Sequence, residues 1–257
     1  MPDLELLRRI ESAYLQAASC GREVVEVGPF RLLLNKTSDL VFLNGALPVE
    51  NPTDGWQIWI TKLIDAYRER NKKPFFEFAY DLWPELSAAL IEQGFQEEAR
   101  RPIMICEKHD FAPPPKTEAI EIEILDEKSD FQTYQDVGSN SFEQAREELT
   151  PDRQEDRRNN VRSGGYRPCL AYYESVPAGV GCTVTFDGVG ELAGIGTIPE
   201  FRRKGVAGAV CARLMEEFFN SGGNLLWLTP GDSGAESVYE KVGFRRTPFA
   251  MATLLLE

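Results

Sequence analysis

The stretch ELAGIGTIPEFRRKGVAGAV (residues 191–210) decides how this chain is read. An apolar run ends at Pro199. Three basic residues follow, Arg202, Arg203 and Lys204, and then Gly205-Val206-Ala207-Gly208 opens a second apolar run. Val206, Val210, Leu214 and Phe218 recur at the spacing of one helix face, and Gly222-Gly223 supplies a stop. The stretch therefore predicts a strand, a basic glycine turn and a helix. A free helix N-terminus offers unpaired amides and a partial positive charge, which suits phosphate. Glycine lets a ligand approach the backbone, and arginine and lysine add formal charge.

Two nucleotide motifs are excluded. A P-loop needs Gly-x-x-x-x-Gly-Lys-Ser/Thr, which GTIPEFRRKGVAGA does not supply. A dinucleotide fingerprint needs Gly-x-Gly-x-x-Gly, and Gly194-Ile195-Gly196 runs instead into Thr197-Ile198-Pro199.

Working outward, EAIEIEIL (118–125) alternates as a half-exposed strand, and two polar stretches (129–149 and 151–164) read as helices or loops. CLAYYES, PAGVGCTVTFD and VGELAGIGTI are strands, with a short turn at Glu174–Pro177. After the helix come a buried strand NLLWLTP, a helix GAESVYEKVGF stopped at Gly243, and a closing strand FAMATLLLE. The order β-α-α-β-β-β-α-β-α-β predicts a mixed α/β (α+β) sheet. FAPPPKTEA (111–119) breaks the chain, because consecutive prolines fit neither helix nor central strand. The expected division is 1–112, a linker at 113–118, and 119–257.

The first half ends in a similar phrase. ELSAALIEQGFQEEARRPIMIC and AESVYEKVGFRRTPFAMATL each place a helix before Gly-Phe and a strand after it. Aligning Gly94 with Gly243 sets Leu90 opposite Tyr239; aligning Pro48 with Pro199 sets VENPTDGW opposite EFRRKGVA. A tandem repeat is expected, with the basic turn kept only in the second copy; two unrelated α/β fragments are the alternative.

The formal net charge of −13 argues against a duplex-DNA or anionic-membrane binder. No window approaches the roughly eighteen apolar residues of a membrane span. MPDLELLRRIESAYLQ reads as an amphipathic helix rather than a signal peptide, so a soluble, cytoplasmic protein is expected. Five scattered cysteines without a CxxC pair, and a single histidine, give neither a disulfide scaffold nor a zinc site. His109 sits in a charged segment and reads as solvated surface, which removes most nucleophile–histidine hydrolases.

Arg202-x-x-Gly205-x-Ala207 resembles the Arg/Gln-x-x-Gly-x-Gly/Ala signature of the GNAT superfamily of acyl-CoA-dependent N-acyltransferases. It comes after a strand ending in Pro199, before a helix, and upstream of Val238-Tyr239-Glu240-Lys241-Val242-Gly243-Phe244, which is similar to the family's Leu-Tyr-x-x-x-Gly-Phe. The likeness covers 117–257 well and the first half in outline. It implies the acyl-CoA N-acyltransferase fold, a mostly antiparallel mixed sheet flanked by helices, here in two copies with a degenerate first one. It implies that the backbone of Gly196, Thr197 and Ile198 bonds the pantetheine arm and thioester. The turn and helix start at Arg202, Arg203, Lys204, Gly205, Val206, Ala207 and Gly208 would then hold the pyrophosphate. Asp232 stands where relatives often carry an asparagine that touches the CoA arm, so its contact is in question.

By the same resemblance Tyr239 matches the general acid that protonates the departing thiolate; its other reading is an aromatic packed between helix and sheet. Leu90, its counterpart, has no proton to give. Glu191, eleven residues before Arg202, matches the basic glutamate of some members and alternates away from Leu192; its other reading is a solvated strand end. Asp187 is a substitute base. Cys182 and Cys211 lie in apolar runs and read as packing rather than as acyl-cysteine nucleophiles.

The function expected is acetyl transfer from acetyl-CoA to a primary amine in a ternary complex, without a metal. Rivals are a tandem module that holds or senses acyl-CoA without transfer, and a structural tandem domain with a solvated basic turn. The resemblance implies an acceptor cleft built mainly by 131–168, which spells no particular amine; an oligomer is compatible with the sequence.

Overall fold

The computed structural model describes residues 4–257. Its elements are α1 (Leu4–Ser19), β1 (Glu23–Val27), β2 (Phe30–Leu34), β3 (Ala46–Pro48), α2 (Trp56–Glu69), β4 (Phe75–Ala79), α3 (Pro84–Glu92), β5 (Gln96–Glu107), β6 (Ile120–Ile124), α4 (Phe131–Ser141), α5 (Pro151–Arg162), β7 (Tyr166–Tyr173), β8 (Val176–Phe186), β9 (Val189–Thr197), α6 (Val206–Asn220), β10 (Leu225–Leu228), α7 (Ser233–Lys241) and β11 (Arg245–Leu255). Helix α1 carries the amphipathic pattern read at the N-terminus; Met1, Pro2 and Asp3 of that stretch lie outside the described residues. Among the described residues no helix is long and apolar enough to cross a membrane.

The chain forms two compact units, one reaching to Ile103 and including Thr247–Glu257, the other Met104–Arg246. This differs from a division at the prolines. The proline segment is extended but docked within the second unit: Ala112 N–H donates to the Val242 carbonyl at 3.1 Å, and the Phe111 ring lies 5.8 Å from that of Phe219. The crossings fall instead inside β5 and near the start of β11.

In the first unit β1, β2 and β3 pair antiparallel in turn, β3 runs parallel to β4, and β4 pairs antiparallel with β11 (Met251↔Ala79 to Leu255↔Phe75). Helix α2 makes the crossover between the parallel strands. Its Trp56, Ile60, Leu63, Ile64 and Tyr67 face inward at helical spacing onto Phe30, Phe76 and Phe78.

In the second unit β6, β7, β8 and β9 form an antiparallel meander. Strand β9 runs parallel to β10, and β10 pairs antiparallel with the end of β5 (Leu225↔Glu107 to Leu228↔Met104). The β7–β8 turn is tight because Glu174 and Ser175 both take positive φ, 49° and 68°. Helix α6 makes this crossover, burying Val206, Val210, Cys211, Leu214, Met215, Phe218 and Phe219. Truncating Leu214, which is wholly buried, to alanine would cost about 2–5 kcal/mol.

The order meander, parallel crossover, helix, strand thus occurs twice, as the sequence repeat predicts. The chain's last strand closes the first unit's sheet, and the end of β5 closes the second's.

Candidate active site

The candidate site residues read from the sequence all fall in the second unit, most of them on β9, the turn after it and the start of α6. The parallel ladder of β9 with β10 pairs Val189 with Leu225, Gly190 with Leu226 and Glu191 with Trp227, and goes no further, although β9 continues to Thr197. On its other edge Cys182 pairs with Ala193 and Val180 with Gly196, so Gly194 and Ile195 together oppose Gly181 alone. Gly194 has φ +61°, so this is a bulge with glycine in the left-handed position. A bulge increases local twist, and here it coincides with the departure of β9 from β10. The β10-facing edge of β9 beyond Glu191 therefore presents backbone groups with no strand partner among the described residues. An extended ligand could add there as a strand would. A glycine inside a strand is the signal for such a bulge, but β9 carries three, Gly190, Gly194 and Gly196, and the sequence does not say which one takes it.

After Thr197, the Ile198 N–H still donates to the Ala178 carbonyl at 2.9 Å, and Pro199–Phe201 form one tight turn. Gly205 is the N-cap of α6 at φ +89°, and having no side chain it cannot cap. The first intrahelical bond is Ala209 N–H to the Gly205 carbonyl, so the amides of Val206, Ala207 and Gly208 have no carbonyl within the helix. That is a ready anion cradle.

The three basic residues divide their work. Arg202 turns inward: its Nε donates to the Thr197 carbonyl at 3.2 Å and its Nη2 to the Ser141 carbonyl at 3.0 Å, tying the turn to the end of β9 and the end of α4. Lys204 Nζ sits 4.8 Å from the Tyr173 ring and 5.1 Å from that of Phe201. Arg203 is exposed at φ +63°, a conformation costly for a residue with a Cβ, and it makes no ion pair among the described residues.

Asp232 is the N-cap of α7, its Oδ1 accepting from Ala235 N–H at 2.8 Å. That bond accounts for an acidic residue at this position without any ligand. Tyr239, on the same helix, is 8% exposed and packs edge-on to Phe244 at 6.1 Å, within the core beneath α6. Burial, then the neighbouring Cys211 and Asp232, push its phenol above the ordinary tyrosine range.

Glu191 lies on the opposite face of the sheet. Leu192 packs in the α6 core, so the alternating Glu191 side chain points to the side covered by α4 and α5. On that face stands a polar cluster that sequence reasoning did not find. The Tyr166 and Tyr134 hydroxyls are 3.4 Å apart, and the Arg157 guanidinium is 5.5 Å from the Tyr134 ring. The Cys182 thiol is pushed up to about 12 by burial and by the Glu191 carboxylate, against hydrogen bonding from Tyr134 and Tyr166 and the charge of Arg157. Burial likewise pushes Cys211 up to about 12. Neither thiol supplies thiolate near neutral pH, in keeping with their reading as packing residues. Asp187 occupies the β8–β9 turn at φ +47°. Glu107, His109 and Asp110 bring one ligand atom each within 4.8 Å of one another, but Arg245 lies 3.6 Å from Glu107 and 3.8 Å from Asp110 and supplies the positive charge there.

Compared with known proteins, residues 131–244 match the model of the acetyltransferase (GNAT) family. No curated protein matches the chain. A GCN5-related N-acetyltransferase from Kribbella flavida has a similar structure, with a TM-score of 0.78 at 24% identity over 97% of this chain and 95% of that one. One from Sphaerobacter thermophilus superposes with a TM-score of 0.61 at 14% identity, over 98% of this chain and 85% of that one. A tandem GNAT protein from the clavulanic acid biosynthesis pathway gives a TM-score of 0.61 at 12% identity, over 89% of this chain and 78% of that one.

Proposed function

We propose that the chain, whose residues 131–244 match the model of the acetyltransferase (GNAT) family, transfers an acetyl group from acetyl-CoA to a primary amine by direct attack in a ternary complex. The observation that carries this reading is the uncapped start of α6, set behind Gly205 at the end of a strand whose edge is open. The amides of Val206, Ala207 and Gly208, with Arg203 and Lys204 beside them, bind the pyrophosphate. Arg202 holds the turn in shape. The pantetheine arm lies along Gly196, Thr197 and Ile198 in the opening between β9 and β10, where backbone amides polarise the thioester carbonyl. Asp232 contributes by fixing the start of α7, which carries Tyr239.

The two candidate proton carriers then stand on opposite faces of that opening. Glu191 takes a proton from the ammonium of the acceptor, and the free amine attacks the thioester carbon. The carbon–nitrogen bond forms, the carbon–sulfur bond breaks, and the CoA thiolate takes the phenolic proton of Tyr239, which is restored from solvent. A raised phenol stays protonated at neutral pH, as a donor must. The burial of Tyr239 in an apolar core also favours a second reading, a module that holds acyl-CoA without transfer.

The test is calorimetric titration of acetyl-CoA into wild type and Gly205→Glu, followed by acetylation of an amine panel. Binding by wild type alone, with turnover of at least one amine, supports the enzyme. Binding without turnover supports the holding module. No binding by folded wild type overturns both.

A further inference from the structure

We infer that the acyl site is cut to the acetyl group and that Phe142 sets this limit; the inference deepens the transferase reading above and rests on its placement of acetyl-CoA. With the pyrophosphate at the start of α6 and the arm along Ile198, Thr197 and Gly196, the acyl end leads along β9 towards Glu191. Ahead of it the opening closes, where β9 and β10 come together at the pair Glu191↔Trp227. Towards α6 the sheet has no spare room. A methyl group on Gly181, opposite the bulge, would stand 2.5 Å from Ile195 Cδ1 and 2.7 Å from Val210 Cγ1, well inside carbon–carbon contact. Towards α4 the same holds at the proposed thioester position. A methyl group on Gly196 would stand 2.7 Å from Ser141 Cβ and 3.1 Å from Phe142 Cε2.

The two walls differ in kind. Val210 is wholly buried and Ser141 nearly so, whereas Phe142 is 51% exposed. A single exposed ring needs no explanation, but this one is held in place. Phe142 ends α4, its N–H donating to the Gly138 carbonyl at 3.1 Å. Arg202 bonds the carbonyl of the residue before it, Ser141, at 3.0 Å, and lies 3.7 Å from the carboxylate of the residue after it, Glu143. The arginine that shapes the phosphate turn therefore also sets the ring over Gly196. An acetyl group ends in one methyl. Each further carbon has to displace Phe142, the wall residue that lies outside the core.

The experiment titrates CoA, acetyl-CoA, propionyl-CoA, butyryl-CoA and hexanoyl-CoA calorimetrically into wild type, Phe142→Ala and Phe142→Leu. Turnover of each acyl-CoA is measured with whichever amine the panel identifies, and thermal melting checks each variant's fold. Wild type should favour acetyl-CoA over butyryl-CoA by roughly 10- to 100-fold in affinity, and in kcat/KM where turnover is found. Phe142→Ala should shrink that ratio at least about tenfold through a gain with butyryl-CoA, while CoA itself binds as in wild type. Unfolding cannot produce such a gain. Phe142→Leu, with a smaller side chain left in place, should fall between the two. Equal or tighter use of butyryl-CoA by wild type overturns this inference alone, as does an unchanged ratio in folded Phe142→Ala. If acetyl-CoA binds and no amine is turned over, the transferase reading fails, and the affinities still decide the limit on acyl length. No binding by folded wild type overturns both.

Discussion

Leu90 and Tyr239 occupy the same position in their respective units. Phe95 N–H donates to the Leu90 carbonyl at 3.1 Å, and Phe244 N–H donates to the Tyr239 carbonyl at 3.0 Å, each across a glycine of positive φ, Gly94 at 92° and Gly243 at 110°. The helix end is the same; the hydroxyl is the difference. Tyr239→Phe should therefore keep the fold and acetyl-CoA affinity while lowering kcat by about 100- to 10,000-fold, the range for losing a general acid. Single-turnover rates with saturating acetyl-CoA decide it, and an unchanged kcat would return Tyr239 to a packing role.

Arg202 and Arg203 should separate stability from binding. Arg202→Ala loses two bonds to backbone carbonyls, at Thr197 and Ser141, and should lower stability by about 1–3 kcal/mol. Arg203→Gly relieves a left-handed residue and should leave stability unchanged or raise it by up to about 1 kcal/mol, while weakening acetyl-CoA binding and flattening its salt dependence. Urea melts and titrations at two salt concentrations read both effects. Equal behaviour of the two variants would contradict the division of roles.

The first unit should weaken as pH rises towards neutrality. Glu11 of α1 is 8% exposed, and its oxygens accept from Trp83 Nε1 at 2.9 and 2.8 Å and from Ala79 N–H at 3.1 Å. Burial outweighs these bonds and raises its carboxyl to about 7. The folded state then binds the proton more tightly than the unfolded one, so the contribution is full below about 4.5 and is lost as pH rises through 7, a change of at most about 3 kcal/mol. Glu77, raised by burial against the Tyr14 hydroxyl, acts in the same direction. Melts between pH 5 and 8 should show a shallower decline for Glu11→Gln than for wild type; parallel curves would rule the effect out.

Thiol labelling should find one reactive cysteine. Cys20 is exposed, whereas Cys106, Cys182 and Cys211 are pushed up to about 12 and Cys169 well above its ordinary value. At pH 8 an alkylating reagent should add once to the native chain and to all five cysteines in denaturant. Trapping an acyl-cysteine during turnover would disprove direct transfer.

The centre of the candidate site was legible because it is local. A proline, a glycine in the left-handed region and an apolar run at helical spacing fix the strand, turn and helix from Glu191 to Val210 without distant help. The same holds for the two Gly-Phe helix ends, which carried the repeat. Asp232 before an apolar helix was a readable cap. What escaped depends on long-range pairing. FAMATLLLE has the pattern of a closing strand wherever it closes, and nothing within it names Phe75–Ala79 as its partner. The placement of Arg157 was equally hidden: in a helix polar on every side, which of four arginines turns towards Tyr134 and Gln135 is decided by those partners, not by spacing. At Arg202 the sequence names an anion ligand but not the carbonyls of Thr197 and Ser141 that the same side chain also reaches.

The reciprocal placement of β5 and β11 has a consequence for the making of the protein. A ribosome delivers the first unit's meander, crossover helix and β4 early, but the strand that covers β4 is Thr247–Glu257. Until that segment emerges, β4 keeps a bare hydrogen-bonding edge flanked by Phe75, Phe76 and Phe78, open to any other extended chain. The half synthesised first is therefore finished last, and neither half can be inherited, excised or lost at the prolines without taking a strand from the other.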